Sequence, residues 1–213
     1  MLEVGPGAVQ ACVLPTQAGP LAGDHDRLRI VVGAGATLVM RPVAATVALP
    51  GARRTRLDLA VDIGPGGRLV LEEAPLIVAA GADVQRSVSL RLAAGALAAL
   101  RDVVVLGRSG EAGGQLAATL RVLDDDGLVL HDALRLDPAT AAQDAGVTLA
   151  RGHRAAATLC LLGIAPGGDE RYALARGGAL RRATAPALAA LDAELAEPWA
   201  RWAQLVASAP AAA

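Results

Sequence analysis

The sequence predicts a mainly β protein in which stacked or coiled β-hairpin repeats form a layered β-structure. Polar and apolar residues alternate with a period of two over 27–32, 56–63 and 87–92, which is typical of strands with one buried face. A glycine-containing turn follows each run, and a second alternating run follows the turn. The turn glycines Gly35, Gly66 and Gly95 are 31 and 29 residues apart. This spacing indicates repeats that share one continuous core.

Further strands follow the repeats. The unbroken apolar run 103–106 is typical of a strand buried on both faces. Two alternating runs, 115–123 and 128–136, flank an acidic triplet and a glycine at 124–127. Because Asp-Gly between alternating runs favours a hairpin turn, we interpret this segment as a turn and not as a metal loop.

Two helical segments are predicted. Asp137 and Pro138 are suited to the N-cap and first positions of a helix, and Gly146 to its end, which predicts a short helix near 138–145. Apolar residues three and four apart predict a second helical segment near 186–207. Pro198 interrupts it, so two helices or one kinked helix are expected.

The whole chain, 1–213, is predicted to form a single domain. Its end, 185–213, comprises the C-terminal helical segment and a frayed tail. Trp199 and Trp202 lie on the apolar stripe of that segment. Two interpretations are open: the stripe packs onto the sheet, or the tryptophans form a docking surface for a partner.

The composition narrows the cellular setting and the partners. Net charge is −1, so there is no long-range field to attract phosphate, and nucleic acid is not an expected partner. No uncharged stretch is long enough to cross a bilayer, so a membrane is not expected either. The first residues lack the features of a signal peptide. Cys12 and Cys160 do not make a disulfide framework, and a cytoplasmic protein with reduced thiols is expected.

One short segment has the residue types of a metal site. In Asp24-His25-Asp26 an imidazole is flanked by two carboxylates, which suits a borderline divalent metal such as nickel, with Cys12 as a further ligand if the fold brings it close. The alternative is a solvated polar turn before the first strand.

A second candidate is the acidic pair Glu72-Glu73 at the end of a predicted strand. In a strand of period two, one of the pair must face inward or toward a neighbour. A buried carboxylate or an interface contact is therefore one interpretation, and a solvent position at the strand end is the other.

Four blocks of the sequence occur in a particular order. The segment 19–28 is similar to a Gly-Gly-Asp-x-Leu motif, and 31–48 has a glycine turn, an alternating strand and an Ala-Ala-Thr motif. The segment 69–77 is similar to a Leu-Glu-x-x-Pro-x-x-x-Ile strand, and the most specific block, 105–111, to Leu-Gly-Arg-x-Gly-Glu. In this order the four blocks resemble the UreD (also called UreH) family of urease accessory proteins.

The resemblance covers roughly 19–136, with a weaker similarity at 156–163. The chain departs from the family pattern in three ways: the longer aromatic N-terminal region, the Trp of the strand at Leu69 and the Gln after the Pro region are absent. It therefore resembles a short, aromatic-poor variant whose interface residues have diverged.

The resemblance implies a mostly β fold with few helices and a non-catalytic role in urease maturation. Members of the family bind the urease apoprotein and the accessory proteins UreF and UreG, and help to deliver nickel, for which a water-filled polar passage is the suggested route. A scaffold or metallochaperone subunit is therefore expected, with transient nickel and no tightly bound cofactor. Glu72, Glu73, Arg108 and Glu111 are the candidates for lining the passage or for interface contacts.

Two other functions stay open at this point. A metal-dependent β-fold enzyme would need at least three converging ligands and an open coordination position. A purely structural β-scaffold would need no metal at all. The chain has no Gly-x-x-x-x-Gly-Lys-Ser/Thr loop, so GTP hydrolysis would belong to a separate partner.

Overall fold

The computed structural model describes residues 8–15, 17–138, 153–167 and 173–209. Within these residues no helix combines the length and the apolar character that a membrane crossing requires. The elements, in chain order, are β1 (Ala8–Ala11), β2 (His25–Val32), β3 (Thr37–Met40), β4 (Thr46–Ala48), β5 (Thr55–Ile63), β6 (Arg68–Glu72), β7 (Leu76–Val78), β8 (Asp83–Leu92), β9 (Leu97–Leu106), β10 (Gln115–Asp124), β11 (Gly127–Leu136), β12 (Ala155–Leu162), β13 (Gly178–Ala185) and helix α1 (Leu188–Ser208).

The strands form two sheets that face each other. The five-stranded sheet has the order β11-β10-β8-β5-β2, and its last four strands are parallel. In the eight-stranded sheet the main path is β1-β3-β6-β9-β12-β13, with β7 beside β9 and β4 beside β7. The chain passes from one sheet to the other within each repeat, so successive repeats stack as coils of a solenoid. The predicted mainly β, stacked and coiled architecture is confirmed.

The hairpin prediction is wrong at the three repeated glycine turns. The two strands that flank each turn lie in different sheets and pair instead with the equivalent strands of the next coil, as His25 opposite Arg56 shows. The turns stack on one another as well: the Gly35 amide donates to the Pro65 carbonyl at 2.9 Å. Gly35 has φ +64°, the left-handed conformation that glycine adopts without steric cost. Alternation predicted the buried face of each strand, but it carries no information on the pairing partner.

The predicted hairpin at the acidic triplet is confirmed. Strands β10 and β11 are antiparallel, with Asp124 opposite Gly127. The Asp126 amide donates to Asp124 Oδ1 at 2.9 Å, which closes the turn locally. Arg176 forms ion pairs with Asp124 at 3.0 Å and with Asp126 at 2.9 Å.

The core lies mainly between the two sheets. The predicted strand 103–106 is the end of β9, and it is buried on both faces as expected. Val103 packs toward helix α1, whereas Val104 and Leu106 point between the sheets.

Helix α1 covers the outer face of the eight-stranded sheet, over β6, β9, β12 and β13. It runs without a break through Pro198, so the alternative of two helices is wrong. Its apolar stripe is buried as predicted, at Leu191, Leu195, Trp199, Trp202 and Val206. Apart from Pro138, the predicted short helix 138–145 lies outside the described residues, and so does the tail beyond Ala209.

Candidate functional site

A layer of polar side chains crosses the interior between the two sheets. On one side of it lies an apolar cluster that contains Leu90 and Leu100, and on the other a cluster that contains Val84 and Val104. We call it the buried polar layer, and its members are Glu73, Arg86, Asp102, Asp132, Thr158 and Arg182.

The two-residue period of the strands explains why these side chains meet. On β8, Arg86 takes the inward position between Val84 and Val88, and on β9 Asp102 takes the one between Leu100 and Val104. On β11 and β12, too, a polar residue occupies one inward position of the strand: Asp132 on β11 and Thr158 on β12. Asp102 lies directly opposite Thr158. The row of Arg86 meets β11 at Leu134, one inward position from Asp132, so the polar side chains occupy adjacent levels of the core.

Arg86 links the two sheets from the centre of this layer. Its side chain is 5% exposed. Nη1 donates to Asp102 Oδ1 at 2.6 Å, and Nη2 donates to Glu73 Oε2. A buried guanidinium between two carboxylates holds its neighbours strongly in place, because removing any one charge leaves the others unpaired in a medium of low polarity.

Burial and charge act in opposite directions on these groups. Burial raises the pKa of Glu73 despite the nearby Arg86, and Asp102 raises it further. Burial alone would lower the pKa of Arg86, but Asp102 and Glu73 outweigh it, so the pKa is raised and the guanidinium stays charged. Because the folded-state pKa of Glu73 lies above its unfolded value, ionisation of this group costs stability as the pH rises through that pKa.

The other half of the layer is centred on Arg182. Its Nη2 donates to Asp132 Oδ2 and lies 3.3 Å from Thr158 Oγ1. A cavity of about 20 Å³ lies between this group and the Arg86 group, and it is lined by both arginines and by Asp102, Asp132 and Thr158. That volume is enough for a single water molecule with several polar partners.

Glu72 points away from the layer, toward helix α1. Arg101 donates from Nη1 to Glu72 and from Nη2 to Asp192 of the helix. The two adjacent glutamates therefore serve opposite faces of one sheet, as the period of two requires. Arg101 Nε is buried and has no hydrogen-bond partner among the described residues.

Arg108 and Glu111 lie in the loop that follows β9 and pair with each other. Glu111 Oε1 accepts from Arg108 Nε at 2.7 Å, while Oε2 accepts from the amides of Arg108 at 3.1 Å and Ala80 at 3.2 Å. Arg154 holds the loop from below, with Nη2 donating to the carbonyls of Leu106 at 2.9 Å and Arg108 at 2.6 Å. The sequence block that resembles the family most specifically is thus a rigidly held surface loop.

The Glu111 carboxyl is expected to titrate far below the ordinary range. Hydrogen bonds from the Arg108 side chain, and then from the amides of Arg108 and Ala80, lower its pKa from 4.5 to about 2. The loop contacts therefore stabilise the fold above pH 4.5 and are lost as the pH falls toward 2. A carbon-13 NMR titration of this carboxyl measures the value directly. Arg108→Gln should raise the pKa toward 4.5, and Arg41→Gln should leave it unchanged; a pKa near 4.5 in the unmodified protein would contradict the model.

The structure does not bring Asp24, His25 and Asp26 together. Asp24 Oδ2 accepts from the Leu21 amide at 2.8 Å and closes a turn, whereas His25 Nε2 lies 2.6 Å from Asp58 Oδ2 on the neighbouring strand. Among the described residues no three His, Cys, Asp or Glu side chains are grouped to hold a metal. Asp24 lies in a turn, and His25 and Asp26 are the first two residues of β2.

Both tryptophans are packed against the eight-stranded sheet. Trp199 is 9% exposed and Trp202 is 2% exposed, within the apolar cluster beneath α1. This is the first of the two interpretations drawn from the sequence. A docking role for these side chains would require the helix to leave the sheet.

Sequence reasoning pointed to Glu73 but missed the other charged members of the buried polar layer, Arg86, Asp102, Asp132 and Arg182. The signal was present in the strands themselves. Arg86 and Asp132 interrupt otherwise apolar inward positions of alternating runs, and a charged residue at such a position requires a buried partner.

Together the fold and the site define a two-sheeted β-solenoid protein with an ionic layer buried in its core. Over residues 2–212 the chain matches the family model described as UreD urease accessory protein. The chain therefore belongs to the UreD family of urease accessory proteins.

Individual relatives agree with this assignment. The chain is 39% identical over 171 residues to the urease accessory protein UreD of Parafrankia sp. (strain EAN1pec), covering 70% of this chain and 57% of the relative. It is 34% identical over 198 residues to UreD 1 of Streptomyces griseus, and the match covers 91% of this chain and 77% of the relative. With UreD of Frankia alni it shares 53% identity over 107 residues, and the match covers 49% of this chain and 36% of the relative. The matched part of the chain thus spans 36% of the length of the Frankia alni relative and 57% of the Parafrankia relative.

Proposed function

We propose that this chain acts as a scaffold and metallochaperone subunit in urease maturation. In this role it binds the urease apoprotein together with the accessory proteins UreF and UreG in the cytoplasm, and assists the insertion of nickel. Membership of the UreD family supports the accessory role. The observation that carries the proposal beyond the family name is the buried polar layer.

The charges of the layer suit the transit of a cation. Its three carboxylates, Glu73, Asp102 and Asp132, outnumber the two guanidinium groups of Arg86 and Arg182. A divalent nickel ion can compete with either arginine for the carboxylates that the arginine binds, because nickel, a metal of borderline softness, accepts oxygen ligands. In this proposal the ion moves through the cavity between the two groups while an arginine swings aside.

The four residues singled out from the sequence have different parts in this proposal. Glu73 belongs to the passage, and Glu72 ties the sheet to helix α1 through Arg101. Arg108 and Glu111 lie on the surface, and we assign their loop to contact with a partner.

Co-purification tests the scaffold role. When the chain is tagged and produced with the complete urease gene cluster, we expect it to retain the urease apoprotein and UreF. Arg108→Ala should reduce retention about tenfold if the loop is a central contact. Arg41→Ala removes another exposed arginine and should leave retention unchanged.

The nickel role is tested separately in cells that lack this gene. Urease activity and its nickel content should fall and should return with the wild-type chain. Activity that is independent of the chain would favour a purely structural β-scaffold, and failure to retain either partner would overturn the scaffold proposal.

A further inference from the structure

The outer face of the five-stranded sheet is strongly basic, although the chain as a whole carries a net charge of −1. Strands β2, β5, β8, β10 and β11 present alternate residues to solvent on this face. Six of the chain's arginines are exposed there: Arg27, Arg29, Arg56, Arg91, Arg121 and Arg135. We call this surface the arginine face.

The carboxylates of the arginine face are already engaged. Asp58 lies 2.6 Å from His25 Nε2, and Asp62 lies 2.8 Å from Arg29 Nη2. Only Arg29 of the six forms an ion pair with another described residue. Arg27 hydrogen-bonds to His25, and the remaining four are Arg56, Arg91, Arg121 and Arg135. Arg91 shares a cleft with Asp62, Asp124 and Asp125 at one end of the face. The six arginines outnumber Asp58 and Asp62, so the rest of the face presents an excess of positive charge.

The register of the strands places short side chains at the centre of this face, so the surface there is a shallow depression. Arg27, Asp58, Ser87 and Thr119 form one row across the strands, and Arg29, Ala60, Ser89 and Arg121 form the next. The middle positions are short side chains, while long guanidinium groups stand around them. Neighbouring strands are about 4.8 Å apart, so the backbone positions of Arg29 and Arg121, three strands apart in one row, are separated by roughly 14 Å and can face different carboxylates of a second folded surface.

The opposite outer face of the molecule differs. Helix α1 covers the eight-stranded sheet there and buries both tryptophans against it. No element among the described residues packs on the arginine face, whose outward positions on β8 and β10 are exposed or half-buried.

We propose that the arginine face docks an acidic protein surface. Guanidinium groups bind carboxylates through two parallel hydrogen bonds, which gives geometric specificity as well as charge attraction. Asp58 and Asp62 lie within the face and would repel a continuous phosphate backbone, whereas a protein can place carboxylates opposite the arginines only. The face also has no Phe, Tyr or Trp side chain on which a base could stack. The inference goes beyond the proposed function and holds without it, because it depends only on the charges of this face.

A charge-matched pair of variants tests the proposal on the full chain. The probe is a labelled peptide of about 24 residues that repeats Glu-Ala-Ala-Ala, whose glutamates lie about 6 Å apart along a helix. Binding is followed by fluorescence anisotropy at low and at physiological ionic strength. Arg56→Gln with Arg121→Gln should raise Kd about tenfold. Arg41→Gln with Arg53→Gln removes the same charge from exposed positions off the face and should raise Kd less than about twofold.

Each possible outcome decides the question. Thermal unfolding of the two double variants should match that of the wild-type chain, because all four side chains are exposed. Equal weakening by both pairs, or no binding by the wild-type chain, would overturn the proposal. A DNA duplex of similar length that displaces the labelled peptide at lower concentration than the unlabelled peptide would show a nucleic-acid surface instead. Because no urease component is present in this assay, its result is independent of the co-purification experiment.

Discussion

Replacing Arg86 with methionine is expected to lower the free energy of unfolding by about 3–5 kcal/mol. The arginine is buried between Glu73 and Asp102 and joins the two sheets. Its removal leaves two carboxylates unpaired in the core, and the desolvation of each is then uncompensated. Urea unfolding can be followed through the fluorescence of Trp199 and Trp202, since both are buried under α1.

Two further variants separate charge from packing at this position. Arg29→Met breaks an exposed pair with Asp62, in which the Arg29 side chain is 71% exposed, and should cost at most about 1 kcal/mol. Adding Glu73→Gln and Asp102→Asn to Arg86→Met should recover about half of the loss or more, because the orphaned charges are removed. A single-variant loss below about 1 kcal/mol, or no recovery in the triple variant, would contradict the ionic account.

The effect of Arg86→Met should also depend on pH with a defined sign. Without the arginine, the pKa of Glu73 rises further, because burial raises it and Arg86 lowers it in the wild-type chain. Lowering the pH through that pKa protonates Glu73 and restores stability relative to the wild-type chain. The deficit should therefore be larger at pH about 8 than at pH about 5.

Gly107→Ala is expected to lower the free energy of unfolding by about 3 kcal/mol. Gly107 has φ +74°, and a Cβ built there would lie 2.7 Å from both the Glu111 carbonyl oxygen and the Gly113 amide nitrogen. Both contacts are backbone atoms of a loop that Arg154 holds in place, so neither can move away cheaply. The free energy of urea unfolding again measures the loss.

Gly110→Ala is the matched control within the same loop. Gly110 has φ +80°, but no heavy atom lies within 4 Å of the position of its Cβ. This variant should lose only the cost of the left-handed backbone, about 1–2 kcal/mol. Equal losses in the two variants would show that the loop relaxes around Gly107 and that the close backbone approach is not a constraint.

Most strands of the fold could be predicted from the sequence because one buried face imposes a period of two. The pairing of the strands could not be predicted, because backbone hydrogen bonds join two strands whatever their side chains are. The turn at Gly66 illustrates the difficulty: a glycine with positive φ suits a hairpin turn and a corner between two sheets equally well. The turn before Gly127 was predicted correctly because only two residues separate its strands.

The candidate site was predicted only in part for a related reason. The adjacency of Glu72 and Glu73 required one of them to face inward, but the partner of Glu73 lies 13 residues away on the other sheet. Arg182, which completes the layer, lies 50 residues from Asp132. Such distant contacts depend on the order of the strands, which local pattern does not specify. Asp24 and His25 each have a partner in the turn or on the neighbouring strand that the sequence did not reveal, and the metal segment stays a prediction.

Parallel stacking of the coils also governs how this chain acquires its structure. Every strand of the repeats finds its partner about one repeat away, as His25 opposite Arg56 and Arg56 opposite Gln85 show. A lone coil therefore has no ladder of its own and gains no strand pairing until a neighbouring coil arrives. The smallest ordered intermediate is two adjacent coils, and the remaining coils add to that seed one by one, as layers add to a one-dimensional crystal.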